Sequence, residues 1–364
     1  MPNSLKQLQE LGQEVWLDYI RRSLTRSGGL RRMIDHDALT GMTSNPTLFE
    51  KAISQREEYD EQIRELMGRH LDAGSVYTEL VIKDIQEAAD VFRPVFDGTK
   101  GQKGFVSLEV NPHLAYDTQG TVEQVREFSQ KVNRPNVMFK IPATREGLAA
   151  IERSIAEGIN INVTLIFSMG RYEQVANAYI AGLEQLVKKG KPLHTVSSVA
   201  SVFVSRIDSK VDEQLDQKGN RDLKGKAAIA NTKLIYQKFK EIFFGPRFSA
   251  LQAQGAKAQR PLWGSTGSKN PAYSDVMYVE ELIGPQTVNT MPPKTLEAFR
   301  EHGRAALTIE KNLDEAHQVL KELTHLRIDL SRIMAQLEEE GVESFAKAYD
   351  QLIHSLEGKL HQVH

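Results

Sequence analysis

The chain contains no cysteine, no marked excess of either charge, no long apolar run and no familiar metal-binding spacing. Without cysteine there are no disulfides, no thiolate metal ligands and no cysteine nucleophile, although the compartment is not fixed by this alone. Lys and Arg number 46 against 48 Asp and Glu, a net charge of -2. So balanced a surface gives no general attraction to nucleic acid or to an anionic membrane, and any basic site has to be local. No segment approaches the roughly eighteen consecutive apolar residues of a membrane span. The amino end, M-P-N-S-L-K-Q-L-Q-E-L-G, lacks the apolar stretch and small-residue cleavage site of a secretory leader, so the cytoplasm is the expected compartment. The ten histidines form neither H-E-x-x-H nor H-x-H, and five of them lie from His317 onward, in the tail. No metal site and no cofactor motif is therefore expected. His113, in N-P-H-L-A-Y-D just beyond Glu109, stays a candidate for chemistry.

What is present points to a large α/β protein. The 364 residues are 40% hydrophobic, enough for a sizeable core. Eight short apolar runs begin at Val15, Leu39, Phe105, Asn136, Ile161, His194, Pro261 and Thr287, separated by stretches of helical periodicity. In one of these, Thr121 and Gln124 have the spacing of a capping box, and Val122, Val125, Phe128 and Val132 follow at helical spacing. Eight strands alternating with helices predict a (β/α)8 barrel, with a doubly wound sheet as the alternative. We expect a single domain over 1–364, with an N-terminal helix over 1–14 and a helical region over 293–364. In that region Leu323, Leu326, Leu330, Ile333 and Leu337 form one stripe, and after E-E-E-G a second resumes with Phe345, Tyr349, Leu352 and Leu356. This pattern predicts an αα-hairpin packed on the barrel.

Several strand-like runs carry a polar residue where barrel enzymes place their chemistry, at the carboxyl end: Asp18, Asn45, Glu109, Lys140, Thr164, Ser201 and Thr266. Lys140 stands in N-V-M-F-K-I-P-A-T, with apolar residues on both sides. A free lysine amine, with a pKa of about 10.4, is a poor nucleophile at neutral pH, and desolvation makes such an amine available to attack a ketone. The same fragment also reads as a strand-end lysine whose head reaches solvent or a carboxylate. Glu109 and Asp18 each interrupt an apolar strand and offer carboxylates for proton transfer, and Thr164 offers a hydroxyl that can hold a water between them; taken singly, each also reads as a structural partner for a lysine or a helix terminus. Asn45, in T-S-N-P-T-L-F, is either a turn residue or a carboxamide for a substrate hydroxyl. For an anion, Arg206 follows in S-V-F-V-S-R-I-D, and G-S-T-G-S-K-N supplies Thr266, Ser268 and Lys269 in the seventh loop, where many barrels bind phosphate.

Five segments, G-M-T-S-N-P-T-L, V-S-L-E-V-N-P-H-L-A-Y-D, V-M-F-K-I-P-A-T, G-I-N-I-N-V-T-L-I-F-S and S-V-A-S-V-F-V-S-R-I-D, resemble in order the signature segments of transaldolases. The resemblance implies a metal-free barrel enzyme that needs no cofactor and moves a dihydroxyacetone unit between small sugar phosphates, with neither nucleic acid nor membrane as partner. Self-association into a homo-oligomer is compatible with it. Lys140 would form the Schiff base, and Glu109, Asp18 and Thr164 would serve the proton transfers. Asn45, Asn162, Ser201 and Phe203 would shape the substrate site, and Arg206 would bind the phosphate. In the seventh loop Ser268 occupies the place where many members carry an arginine, and Lys269 beside it resembles the longer transaldolase subfamily. The related fructose-6-phosphate aldolases are expected to carry glutamine in place of Glu109 and tyrosine in place of Phe203, so both residues favour transfer over free cleavage. A non-catalytic sugar-phosphate binder on the same barrel is the alternative of another class.

Overall fold

A computed structural model describes residues 3–54 and 57–362, so the helices expected over 1–14 and 293–364 are seen from residue 3 and up to residue 362. Eight strands, β1 (Gln13–Asp18), β2 (Leu39–Thr43), β3 (Phe105–Glu109), β4 (Val137–Pro142), β5 (Ile161–Ile166), β6 (Ser198–Phe203), β7 (Arg260–Gly264) and β8 (Thr287–Met291), follow one another around a closed barrel. Every neighbouring pair is parallel, including β8 with β1. Almost every strand residue is buried, as a sheet covered on one face by helices and filled on the other requires. The chain is thus a (β/α)8 barrel, and the doubly wound alternative falls away.

The barrel interior holds its own small apolar cluster of Trp16, Phe105, Met138, Val199, Leu262 and Val288. Side chains alternate across a strand, so the residue two positions on from each of these points into the same interior, one layer nearer the carboxyl ends. Those residues are Asp18, Ser107, Lys140, Ser201, Gly264 and Thr290. The apolar plug seals the barrel floor and sets the height of the polar layer above it. Gly41 on β2 makes room for the plug, since a Cβ there would meet the Trp16 ring at 2.4 Å.

Local boundaries differ from the sequence pattern in instructive ways. The N-terminal helix is Ser4–Glu10, and Gly12 at φ +85° turns the chain into β1, which begins at the next residue. The sixth run does not begin as a strand at His194. Val196 N–H bonds Leu193 O at 3.1 Å and Ser197 N–H bonds the Asn160 side chain at 2.8 Å, so β6 starts only at Ser198. Nor does Thr121 begin its helix. Asp117 caps Thr118–Val132 by accepting from Gly120 N–H at 3.0 Å, worth about 1 kcal/mol. The Thr121 hydroxyl instead donates to Leu114 O, and Gln124 accepts from Asn111 N–H.

The C-terminal region is not one hairpin broken at E-E-E-G. Helix Leu313–His325 ends before Arg327, whose φ is +57°, and helix Leu330–Gln362 runs unbroken through Gly341. The first packs on helix Ala227–Phe243, whereas the second packs on Pro46–Ser54 and Ser205–Gln217, which follow β2 and β6 on opposite sides of the barrel. This closing helix therefore spans the barrel mouth. Gly341 stays helical because the helix presses on β5 there: a Cβ would sit 2.7 Å from Leu165 Cδ2. Residues 303–312 are not helical, and Thr308 and Ile309 donate their N–H groups to Ile283 O. Among the described residues no helix is long and apolar enough to cross a membrane.

Candidate active site

Strand register brings the expected residues together at the carboxyl end of the barrel. Glu109 pairs with Lys140 across β3 and β4, Lys140 with Asn162 across β4 and β5, Pro142 with Thr164, and Asp18 with Thr43 across β1 and β2. Lys140 is 4% exposed, and its ammonium donates to Glu109 Oε2 and to Ser44 O, each at 3.2 Å. A small cavity of about 60 Å³ lies above it, lined by Asp18, Thr43, Asn45, Lys140, Ser201, Phe203, Arg206, Leu262, Gly264, Ser265, Thr290 and Phe345. It is walled by six strands and two helices, so only the closed barrel can assemble it.

Burial dominates the electrostatics of the two carboxyls. It pushes the Glu109 carboxyl above the usual range, while the Lys140 ammonium pulls it back. Burial likewise raises Asp18, opposed first by Lys140 and then by the hydrogen bond from Thr43, with Lys269 and Arg206 assisting more weakly. A carboxyl whose pKa burial raises above its ordinary value is a stronger candidate for proton transfer than an exposed one. Thr43 fixes one of them in place: its hydroxyl donates to Asp18 Oδ1 at 2.8 Å and lies 2.7 Å from the Thr290 hydroxyl. On the other side of Lys140, Ser201 donates to Asn162 Oδ1 at 2.6 Å and Asn162 Nδ2 donates to Ser107 Oγ at 2.9 Å. Thr164 Oγ1 is buried without a partner among the described residues. It sits next to Leu165, whose φ of +60° coincides with the break in β5–β6 register.

At the cavity rim the Arg206 guanidinium lies over the Phe203 ring, 5.3 Å from its centroid, and Phe203 packs edge-on against Phe167. Arg206 makes no hydrogen bond or ion pair to another described residue. Its charge is therefore available to an anion, and burial pulls the guanidinium below its ordinary pKa, with Asp18 and Glu340 opposing. Asn45 combines both roles left open by the sequence: its carboxamide oxygen accepts from Leu48 N–H at 3.0 Å, starting a helix, while the residue also lines the cavity.

The seventh loop is placed otherwise. Thr266 is buried and gives its hydroxyl to Asn289 Oδ1, and Ser268 closes a turn by donating to Asn270 O. Lys269 is exposed and reaches the site only through its field on Asp18, so Gly264 at the end of β7 and Ser265 just after it are the residues of this region at the cavity. His113 lies away from Lys140 and binds Asp350 of the closing helix at 2.6 Å. Among the described residues no group of three histidine or acidic side chains is spaced to hold a metal. Thr43, Ser44, Ser107 and Thr290 escaped the sequence reading, although strand alternation from Glu109 points to Ser107. Phe345 had no such signal, because it comes from a helix far along the chain.

Asp208 lies two positions beyond Arg206 and accepts from Ala228 N–H and the Tyr278 hydroxyl, both at 2.8 Å. Burial raises its pKa to about 7. Because the folded form holds this proton more tightly than the unfolded chain, stability is greatest below the unfolded value of about 3.9 and falls as pH rises towards 7. Asp208→Asn is expected to flatten that fall, gaining thermal stability at pH 8 relative to pH 5. Melting curves at the two pH values check this, and parallel shifts at both would argue against it.

The sequence matches the transaldolase/fructose-6-phosphate aldolase family model over residues 15–356. Similar curated proteins include a transaldolase of Saccharopolyspora erythraea, 47% identical with 99% of each chain covered. Another, from Trichodesmium erythraeum, is 44% identical over 99% of this chain and 98% of its own. A third, from Parafrankia sp., is 46% identical over 99% of both.

Proposed function

The chain belongs to the transaldolase/fructose-6-phosphate aldolase family, and from that premise we propose how its own residues carry the transaldolase reaction. The enzyme transfers a dihydroxyacetone unit from a ketose phosphate, sedoheptulose 7-phosphate or fructose 6-phosphate, to an aldose phosphate, glyceraldehyde 3-phosphate or erythrose 4-phosphate. This is the transaldolase step of the pentose phosphate pathway, and we place it in the cytoplasm. The observation that carries the mechanism is the buried Lys140 amine, 3.2 Å from Glu109, in a cavity shared with Asp18.

In this reading Lys140 passes an ammonium proton to the adjoining Glu109 carboxylate and its amine adds to the ketose C2, and Glu109 returns the proton on which water leaves to give the iminium. Asp18 takes the proton of the C4 hydroxyl, the C3–C4 bond breaks, and its electrons flow into the iminium to form an enamine as the aldose departs. An incoming aldehyde is then attacked by the enamine carbon, and water releases the new ketose. Thr164, buried beside this layer, is suited to hold a water between the carboxyls, since a buried hydroxyl requires a partner. Ser201 and Asn162, already bonded to each other, and Asn45 at the rim are suited to the hydroxyls of the bound unit. Phe203 and Glu109, rather than tyrosine and glutamine, favour transfer over cleavage to free dihydroxyacetone.

We assign the phosphate to Arg206, with Lys269 adding a longer-range field. A hydrogen bond to a charged group contributes about 1.5–3 kcal/mol, roughly ten- to a hundredfold in binding. Arg206→Ala is expected to raise KM for ketose and aldose phosphates by that factor while leaving turnover of an unphosphorylated acceptor nearly unchanged. Equal losses on both acceptors would move the phosphate elsewhere. Steady-state kinetics test the reaction itself: the reading requires an aldose acceptor and parallel double-reciprocal lines, and rapid cleavage of fructose 6-phosphate without acceptor would replace it with aldol cleavage.

A further inference from the structure

Phe345 is the feature of the cavity that the reaction chemistry leaves unexplained. It belongs to the closing helix Leu330–Gln362, is 4% exposed, and its ring centroid lies 5.6 Å from the Lys140 Nζ. Gly341, one turn earlier on the same helix face, is the position where the helix rests on Leu165 beside Thr164. Polar side-chain contacts tie the helix down on both sides of this face. Arg171 reaches Glu338 through two hydrogen bonds of 3.0 and 3.1 Å, Lys210 reaches Glu340 at 2.9 Å, and His113 meets Asp350 at 2.6 Å. Phe345 is thus an apolar roof pinned over the nucleophile from a part of the chain that supplies no polar group to the cavity.

The free space of about 60 Å³, partly open to solvent, is well below the ~300–1,000 Å³ typical of ligand pockets. A sugar phosphate needs this lining to give way, and the Phe345 ring, carried by a helix from outside the barrel, is placed to move aside and to settle again once the aldose half has left. We propose that Phe345 is a water-excluding gate that sets the partition of the Lys140-bound enamine between transfer and hydrolysis. This rests on the Schiff-base reading of Lys140 and adds a specificity-determining residue to it. The side reaction it suppresses is fully specified. Protonation of the enamine carbon gives the iminium, water adds to its C2 with loss of a proton, and the carbinolamine collapses with C–N cleavage to free dihydroxyacetone and the lysine amine. The proton taken up at carbon is returned when water adds, so only water is consumed, and access of water to C2 is what the roof can control. A cationic iminium beneath the ring face would also be favoured by the ring's negative quadrupole.

The test compares the parent with Phe345→Ala and Phe345→Leu, each incubated with fructose 6-phosphate alone and with erythrose 4-phosphate. Released dihydroxyacetone, transfer product and the borohydride-reduced adduct on Lys140 are measured together. The expected result is a parent-like adduct in both variants, with the ratio of free dihydroxyacetone to transfer product raised about tenfold or more in Phe345→Ala and less in Phe345→Leu, which keeps an apolar side chain. The leucine variant keeps the test decisive if the alanine variant does not fold. A folded variant that forms the adduct and partitions as the parent does overturns the gate while leaving the Schiff base intact. A parent that forms no adduct overturns both.

Discussion

Lys140→Ala is expected to fold and to lose turnover by several orders of magnitude, because truncation removes the covalent route while touching little of the barrel's packing. Lys140 is held only by Glu109 and Ser44 O, and its neighbours on β4 are locked by strand pairing. The substitution strips Glu109 of the cation that opposes its burial, so its pKa moves further above the ordinary carboxylate value. An ionised carboxylate left buried and unpaired costs about 3–5 kcal/mol, and protonation relieves it. The sign follows: the variant's added penalty is small below the unfolded pKa of Glu109 and grows as pH rises through the folded one. The variant should therefore melt closer to the parent at pH 5 than at pH 8. Turnover near the parental rate in a cleanly purified variant would remove Lys140 from the chemistry.

Glu109→Gln is expected to cost on the order of 10² to 10⁴ in rate, the usual contribution of a positioned acid/base group. The amide fills the same space next to Lys140 but cannot take up and return a proton. The losses should fall mainly on kcat, and dihydroxyacetone release should rise relative to transfer. Since Asp18 remains at the other side of the cavity with its Thr43 hydrogen bond, bond cleavage is not abolished outright. Pre-steady-state formation of the Lys140 adduct should slow in parallel with turnover. An unchanged rate and product ratio would exclude Glu109 from the proton transfers.

What the sequence made legible was the part built by strand alternation. Asp18, Glu109, Lys140, Thr164 and Ser201 all interrupt apolar runs with an inward-facing polar residue, and period two carries that orientation directly from sequence to structure. The errors came where local signals competed. Thr121 and Gln124 have capping-box spacing, but Asp117 three residues before Gly120 offered a better-placed acceptor. His194–Ser197 has β-branched and small residues like a strand, yet its N–H groups were taken by a turn and by Asn160. Gly341 looked like a terminator, and only contact with Leu165 explains why the helix needs a residue without a side chain there. Ser268 and Thr266 illustrate a different limit, since a hydroxyl in a loop does not reveal whether it serves a ligand or, as here, its own turn and Asn289. Phe345 was unreadable as a site residue because nothing local distinguishes a helix stripe that packs on a barrel wall from one that roofs its mouth.

The central claim is a covalent intermediate on Lys140 that passes its dihydroxyacetone unit to an acceptor. Mass spectrometry with peptide mapping, after incubation with fructose 6-phosphate and borohydride, with and without erythrose 4-phosphate, measures it directly. The account predicts a dihydroxyacetone-sized adduct on Lys140 alone, diminished when the acceptor is present. A folded, substrate-binding protein that carries no adduct on Lys140 would contradict it.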